Sequence, residues 1–215
     1  GVHLVISQNK YFKAVATDSH RMSQRTFQLE KSANNFDLVV PSKSLREFSA
    51  VFTDDIETVE VFFSDSQMLF RSENISFYTR LLEGNYPDTD RLLTNQFETE
   101  IIFNTNALRH AMERAYLISN ATQNGTVRLE IQNETVSAHV NSPEVGKVNE
   151  ELDTVSLKGD SLNISFNPTY LIESLKAVKS ETVTIRFISP VRPFTLTPGE
   201  DTEDFIQLIT PVRTN

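Results

Sequence analysis

The chain has 215 residues, 39% of them hydrophobic and 23% charged, with a formal net charge of −9 and no cysteine. That length suits one large or two ordinary domains with packed cores, and the lack of thiols excludes structural disulfides and thiolate metal sites and fits a reducing compartment. The acidic balance argues against a polyanionic partner, and no apolar run reaches the roughly 20 residues that cross a bilayer.

The first residue is Gly1 rather than Met, and no basic-then-apolar leader opens the chain. The expectation is a cytoplasmic protein that continues upstream of this start. Five Asn-x-Ser/Thr sequons, Asn74-Ile75-Ser76 among them, read as turn chemistry in that setting.

The opening stretch, GVHLVISQNKYFKAVATDSHRMSQRTFQLE, predicts hairpin strands with a turn near Ser7-Gln8-Asn9. Within it, Asp18, Ser19 and His20 are consecutive. A hydrolase using Ser19 and His20 is one reading. Against it, a nucleophilic relay draws its groups from separate parts of a chain, and neighbours on a strand point to opposite faces. A tight turn suits Asp18 and Ser19 better, because their short side chains bond nearby backbone. The four histidines, His3, His20, His110 and His139, are too scattered for a zinc site; no metal or other cofactor is expected.

Three later segments share one pattern: LVVPSKSLREFSAVF from 38, IIFNTNALRHAMERAYLI from 101 and ISFNPTYLIESLKAV from 164. Each is a short apolar strand, a polar or Pro break that caps a helix (Pro41-Ser42, Asn104-Thr105, Asn167-Pro168), and a short amphipathic helix. Leu45, Leu108 and Leu171 stand 63 residues apart both times. Leu108, Ala111, Met112 and Ala115 form one helical face. After each helix a Thr-Val pair opens a strand, at 58, 126 and 182, and alternating strands follow. The unit is strand, helix, then about three strands, repeated.

One helix covers only part of its sheet, so such modules pair. The predicted fold is α+β, with repeated strand–helix–strands modules paired into domains, helices on one face and antiparallel sheets on the other. The expected domains are 1–93, lacking its first strand and helix, and 94–215, with a linker in RLLTNQFETE, residues 91–100.

Charge placement changes the first impression. Residues 42–51 carry Lys43 and Arg46 against Glu47; 105–118 carry Arg109 and Arg114 against Glu113; 169–179 carry Lys176 and Lys179 against Glu173. Each predicted helix is net basic inside an acidic protein. Either these are ordinary solvated faces, or they form a row of helices that meets phosphate without reading sequence. Three further segments mix Pro, Arg and aliphatic residues: the one around His20, EGNYPDTDRLL from 83, and the C-terminal QLITPVRTN. If exposed, they form a shallow peptide groove.

ATDSHRM at 16–22, EGNYPD at 83–88, RAYLISN at 114–120, FNPTYL at 166–171 and the terminal LITPVR resemble the bacterial DNA polymerase sliding clamp, the beta subunit of the replicative polymerase III holoenzyme. The resemblance spans the whole chain, and the last residues suggest a Gram-positive member. It implies a non-enzymatic DNA-clamp fold of three two-module domains, closed head to tail into a homodimeric ring. The helices line a hole that slides on double-stranded DNA, and no membrane is involved. It implies Lys43, Arg46, Arg109, Arg114, Lys176 and Lys179 as DNA-facing residues. It also implies a groove for short linear motifs, of the Gln-x-x-Leu-Phe type, from the polymerase, the clamp loader and repair proteins. The groove residues are Thr17, Ser19, His20, Arg21, Met22, Pro87, Arg91, Leu92, Pro193, Leu208, Ile209, Thr210, Pro211, Val212 and Arg213. Family members often carry Gly at the position of Ser19 and Met at those of Thr210 and Val212. The subunit contact falls on Leu117, Ile118, Glu144, Glu150 and Glu151. With the first domain lacking, this stretch alone is expected not to close the ring. An interaction scaffold that never meets DNA remains the alternative within the non-enzymatic class.

Overall fold

The structure is a computed structural model that describes residues 1–53, 56–94, 96–119, 125–142, 146–199 and 204–213. Contacts divide the chain into two compact units, Gly1–Thr17 with Gln24–Arg91, and Asp18–Ser23 with Leu92–Asn215. The short segment Asp18–Ser23 therefore groups with the second unit, although most of the first follows it in sequence.

The first unit holds strands β1 (Val2–Ser7), β2 (Tyr11–Thr17), β3 (Arg21–Gln28, from Gln24 onward) and β4 (Phe36–Val40), helix α1 (Ser42–Val51), then β5 (Glu60–Phe63), β6 (Gln67–Arg71) and β7 (Ser76–Arg80). Strand β1 runs antiparallel to both β2 and β4, with Leu4 opposite Ala14 and Leu38. The predicted turn is present: Gln8 and Asn9 both take positive φ, and Lys10 N donates to Ser7 O at 3.1 Å. Two such residues in succession match the right-handed twist of the flanking strands. Strands β5, β6 and β7 form a second antiparallel sheet.

The core of this unit is thin. Leu4, Val40, Met68 and Phe70 are buried, and Leu45, Phe48, Phe52 and Phe77 pack on them half-buried. No residue of α1 is fully buried. The expected cap at Pro41-Ser42 is also weaker than the pattern suggests. Pro41 occupies the cap position, where it has no side-chain acceptor, and only its carbonyl engages the helix, taking the Leu45 N–H at 3.2 Å.

A 3-10 turn, Asp90–Leu92, spans the change of unit, and the second unit then holds β8 (Thr99–Asn104), α2 (Thr105–Ser119), β9 (Val127–Gln132), β10 (Thr135–Ser142), β11 (Gly146–Glu151), β12 (Ser156–Gly159), β13 (Leu162–Phe166), α3 (Pro168–Ala177), β14 (Thr182–Phe187), β15 (Phe194–Pro198) and β16 (Asp204–Ile209). Two sheets result, in the orders β12-β8-β14-β15-β16 and β11-β10-β9-β13, with antiparallel pairing. Helices α2 and α3 pack on one another; α2 also rests on β8, β9 and β10, and α3 on β16.

Both helices begin as the sequence predicts. Asn104 Oδ1 accepts from Ala107 N at 3.0 Å, and Asn167 Oδ1 accepts from Thr169 N at 2.9 Å with Pro168 in the first turn. The stripe Leu108, Ala111, Met112 and Ala115 is buried. It joins Phe103, Phe166, Leu171, Ile185, Phe187 and Phe194 in one large core. Strand β9 alternates, with Val127, Leu129 and Ile131 inside.

Three expectations need correction. Helix α3 ends at Ala177, because Val178 is extended and its N–H turns back to Leu175 O at 3.2 Å; Lys179 is thus not a helix residue. Net charge is then +1 on α1 and on α2 but zero on α3. The pair Thr58-Val59 precedes β5 rather than starting it. The second module has four strands after its helix, because β11 adds one that the pattern did not announce.

Candidate functional site

Asp18–Met22 is built as the turn that its residue types favour. Asp18 Oδ1 accepts from His20 N at 3.2 Å and from Arg21 N at 3.1 Å, and Asp18 N donates to Arg21 O at 3.3 Å. Ser19 takes φ +72°, the left-handed region in which glycine is unstrained. Asp18 Oδ2 accepts from Arg21 Nε at 2.8 Å. Both carboxylate oxygens are therefore engaged with backbone and guanidinium, not with an imidazole, as a relay would require.

Helix α3 supplies the other side. The Arg21 guanidinium is ion-paired with Glu173 and lies over the Tyr170 ring, 4.8 Å from its centroid. The His20 ring stands 6.1 Å from that of Tyr170, within 13° of parallel. Two rings at this separation, with a cation on one of them, make a shelf with an apolar body and polar rim. Burial raises the Asp18 carboxyl, but the Arg21 guanidinium and the N–H groups of His20 and Arg21 outweigh it and hold it below its ordinary range. Burial lowers Arg21, and its two carboxylate partners outweigh that, so it stays firmly protonated.

The C-terminal segment is fastened beside this shelf. Thr210 N donates to His20 O at 2.9 Å, and Val212 N donates to Ser165 O at 2.7 Å. Val212 and Arg213 are exposed, Thr210 and Pro211 half-buried. Pro193 is half-buried just before β15, and Leu92 is exposed. The expectation that these segments are exposed throughout fails at Met22, Leu208 and Ile209, which are 3%, 4% and 0% accessible. They are strand residues of β3 and β16, and their side chains point inward. Neither Tyr170 nor Glu173 is among the groove residues expected from sequence, although FNPTYL carries the resemblance and Glu173 enters the charge count of the helix.

Thr17, Pro87 and Arg91 belong to the first unit. There the 81–91 segment is fixed along the sheet. Tyr86 stacks on His3 at 4.6 Å and donates to Val15 O at 3.2 Å; His3 lies 2.7 Å from Asp37; Lys13 Nζ donates to both oxygens of Asp90 at 2.9 and 3.0 Å. A cavity of about 590 Å³ opens beside His3 and Tyr86, with Asp37, Asp65 and Glu83 on its wall. Pro87 is exposed, and Arg91 is exposed and paired with Asp88 at 2.7 Å.

The helix cations are all at the surface but mostly paired. Lys43 lies 3.8 Å from Glu47, and Arg46 is exposed. Glu113 is shared by Arg109 at 3.2 Å and Lys176 at 3.9 Å, across α2 and α3. Arg114 is ion-paired with Glu150 of β11, its Nε at 3.3 Å. One expected DNA-facing residue thus meets one expected subunit-contact residue. Leu117 is 74% exposed and Ile118 packs half-buried on the core; Glu151 is exposed, and Glu144 lies outside the described residues. Among the described residues no three His, Asp or Glu side chains are grouped to hold a metal ion, and no helix is long and apolar enough to cross a membrane.

Comparisons with known proteins bear on this arrangement. Residues 1–88 match the family described as DNA polymerase III beta subunit, central domain, and residues 90–213 match its C-terminal domain. The chain is 70% identical over all its residues to the beta sliding clamp of Streptococcus pneumoniae and 54% identical to that of Lactococcus lactis. It superposes on the beta subunit from DNA polymerase of Streptococcus pyogenes with a TM-score of 0.97 at 77% identity, covering 100% of this chain and 58% of that one. For the Bacillus subtilis DNA polymerase sliding clamp the TM-score is 0.94 at 37% identity, covering 100% and 57%. The chain therefore belongs to the DNA polymerase III beta subunit family. The relatives come from Gram-positive genera, as the terminal residues suggested. The chain spans 57% of the length of those curated relatives.

Proposed function

We propose that this chain is the partner-recruiting and duplex-lining part of a DNA sliding clamp. In this reading the full-length protein is a non-catalytic, cytoplasmic processivity subunit of the replicative polymerase III holoenzyme. It closes as a head-to-tail homodimeric ring around duplex DNA and recruits polymerase, clamp loader and repair proteins through short linear motifs. The observation that carries the reading is the match of both family domains, end to end, across residues 1–88 and 90–213.

The geometry fits the task in two ways. Lys43, Arg109, Arg114 and Lys176 sit on helix surfaces in partly exposed ion pairs, and Arg46 is exposed on α1. Such cations meet phosphate one at a time, without base contacts, and the attraction falls with salt. That suits sliding better than gripping. Lys179 follows α3 and keeps the same assignment from the loop. In the second unit, His20 and Arg21 lie by Tyr170 and Thr210 is tied to His20; Ser19, Pro211, Val212 and Arg213, and the buried Met22, Leu208 and Ile209, are assigned to the same peptide site by the resemblance. Leu92 and Pro193, and Thr17, Pro87 and Arg91 of the first unit, are assigned to peptide binding by the resemblance. Leu117, Ile118, Glu150 and Glu151 are the proposed subunit contact. Residues 1–215 alone leave the ring open, and a stable closed dimer of them in sedimentation velocity contradicts this.

The test of the peptide site is binding of a fluorescent Gln-x-x-Leu-Phe peptide to residues 1–215, repeated with His20→Ala and Arg213→Ala. Saturable binding that both substitutions weaken is expected. A folded chain that binds nothing favours the scaffold reading. Ser19→Ala leaves binding intact in a clamp and abolishes turnover in a hydrolase.

A further inference from the structure

Among the described residues, two carboxylates, Asp18 and Glu173, pair with the Arg21 guanidinium. Asp18 takes Nε, and Glu173 pairs with an Nη nitrogen. Asp18 is held in turn by two backbone N–H groups, so its half of the clamp is set by the turn. The other half comes from α3, where Tyr170 and Glu173 lie three residues apart on one face. The planar guanidinium fork suits this two-sided hold, and its carbon lies 4.8 Å from the centre of the Tyr170 ring. The side chains of Asp18 and Glu173 remain 46% and 52% exposed. Asp18, Glu173 and Arg21 together therefore carry one carboxylate charge in excess, and Arg21 does not meet a ligand as a lone cation.

We propose that Glu173 is a positioning and specificity-determining residue of the peptide site: it holds Arg21 against Tyr170 and, with Asp18, leaves this group of three charges negative, so that the site favours peptides with cationic or neutral flanks over acidic ones. The inference rests on the peptide-site reading above. Arg21 alone would select the opposite sign, which makes the direction of the preference diagnostic. Both carboxylates are half in solvent, so the effect is moderate and falls as salt rises.

The test uses residues 1–215 and two labelled Gln-x-x-Leu-Phe peptides that differ only in flanking residues, lysine or aspartate. Anisotropy titrations are run on the wild type, Glu173→Gln, Glu173→Asp and a control, Glu134→Gln, which removes one exposed charge from the β9–β10 turn. The wild type is expected to bind the lysine-flanked peptide more tightly. Glu173→Gln reduces that ratio by about threefold, the scale of one partly screened charge; Glu173→Asp restores it and the control leaves it unchanged. An unchanged ratio in Glu173→Gln overturns the assignment while the peptide site stands. Equal weakening for both peptides reduces Glu173 to a purely structural hold and likewise overturns it. If the wild type binds neither peptide, the site reading and the role of Glu173 fall together.

Discussion

Arg21 and Tyr170 are 149 positions apart in the chain, yet the guanidinium of one lies 4.8 Å from the ring centre of the other. Replacing Tyr170 by Leu removes both the cation–π contact and the partner of the His20 ring. Peptide affinity should fall about tenfold, or about 1.4 kcal/mol. Tyr170 is only half-buried, so the melting temperature should move by no more than a few degrees. An unchanged Kd in a peptide titration contradicts a role for the shelf.

The Asp18 turn carries a pH signature. Its carboxyl is held below the ordinary value of 3.8 by Arg21 and two backbone N–H groups, which together outweigh burial. A depressed folded-state pKa stabilises the fold fully above the unfolded value, and that contribution disappears as pH falls through the folded value. The turn should therefore be intact at neutral pH and weaken only below about pH 4. A carboxyl carbon NMR titration should place the Asp18 midpoint below 3.8; a midpoint at or above it contradicts the ion pair with Arg21.

Glu113 offers a test of the DNA-facing assignment. Its one carboxylate is shared by Arg109 and Lys176. Glu113→Gln should release that charge, tighten binding of the full-length protein to DNA at low salt, and steepen the log–log salt slope by up to about 0.9. Stability should change by under about 1 kcal/mol, since these are surface pairs. An unaltered slope places these residues away from phosphate.

The two units differ in core size, and calorimetry should resolve them. The second unit buries Phe103, Phe166, Phe187 and Phe194 almost completely, while the first has four fully buried apolar residues in its cluster and a helix with none. Two transitions are expected, the lower one from the first unit. Phe166→Ala should destabilise the upper by about 3–5 kcal/mol, and Leu45→Ala should affect the lower alone and by less. One cooperative transition contradicts this division.

Much of this was legible in the sequence for identifiable reasons. Asn104 and Asn167-Pro168 announce helix starts by local chemistry, and the α2 stripe announces its buried face by period. Strand β11, GKVNEE, has one apolar residue in six and lies at a sheet edge, so it carries no alternating signal. Met22, Leu208 and Ile209 are buried where exposed segments were expected, because motif position says nothing of side-chain direction within a strand. Glu173 and Arg21 are 152 residues apart, and only the folded chain brings their charges together.

The central claim is tested most directly by topology. The full-length protein is loaded onto nicked circular DNA, washed at moderate salt, and assayed before and after a single restriction cut. A sliding ring is retained on the circle and lost from the linear product. Equal retention before and after cutting, or equally ready release from both by salt, contradicts encirclement and leaves an ordinary surface contact.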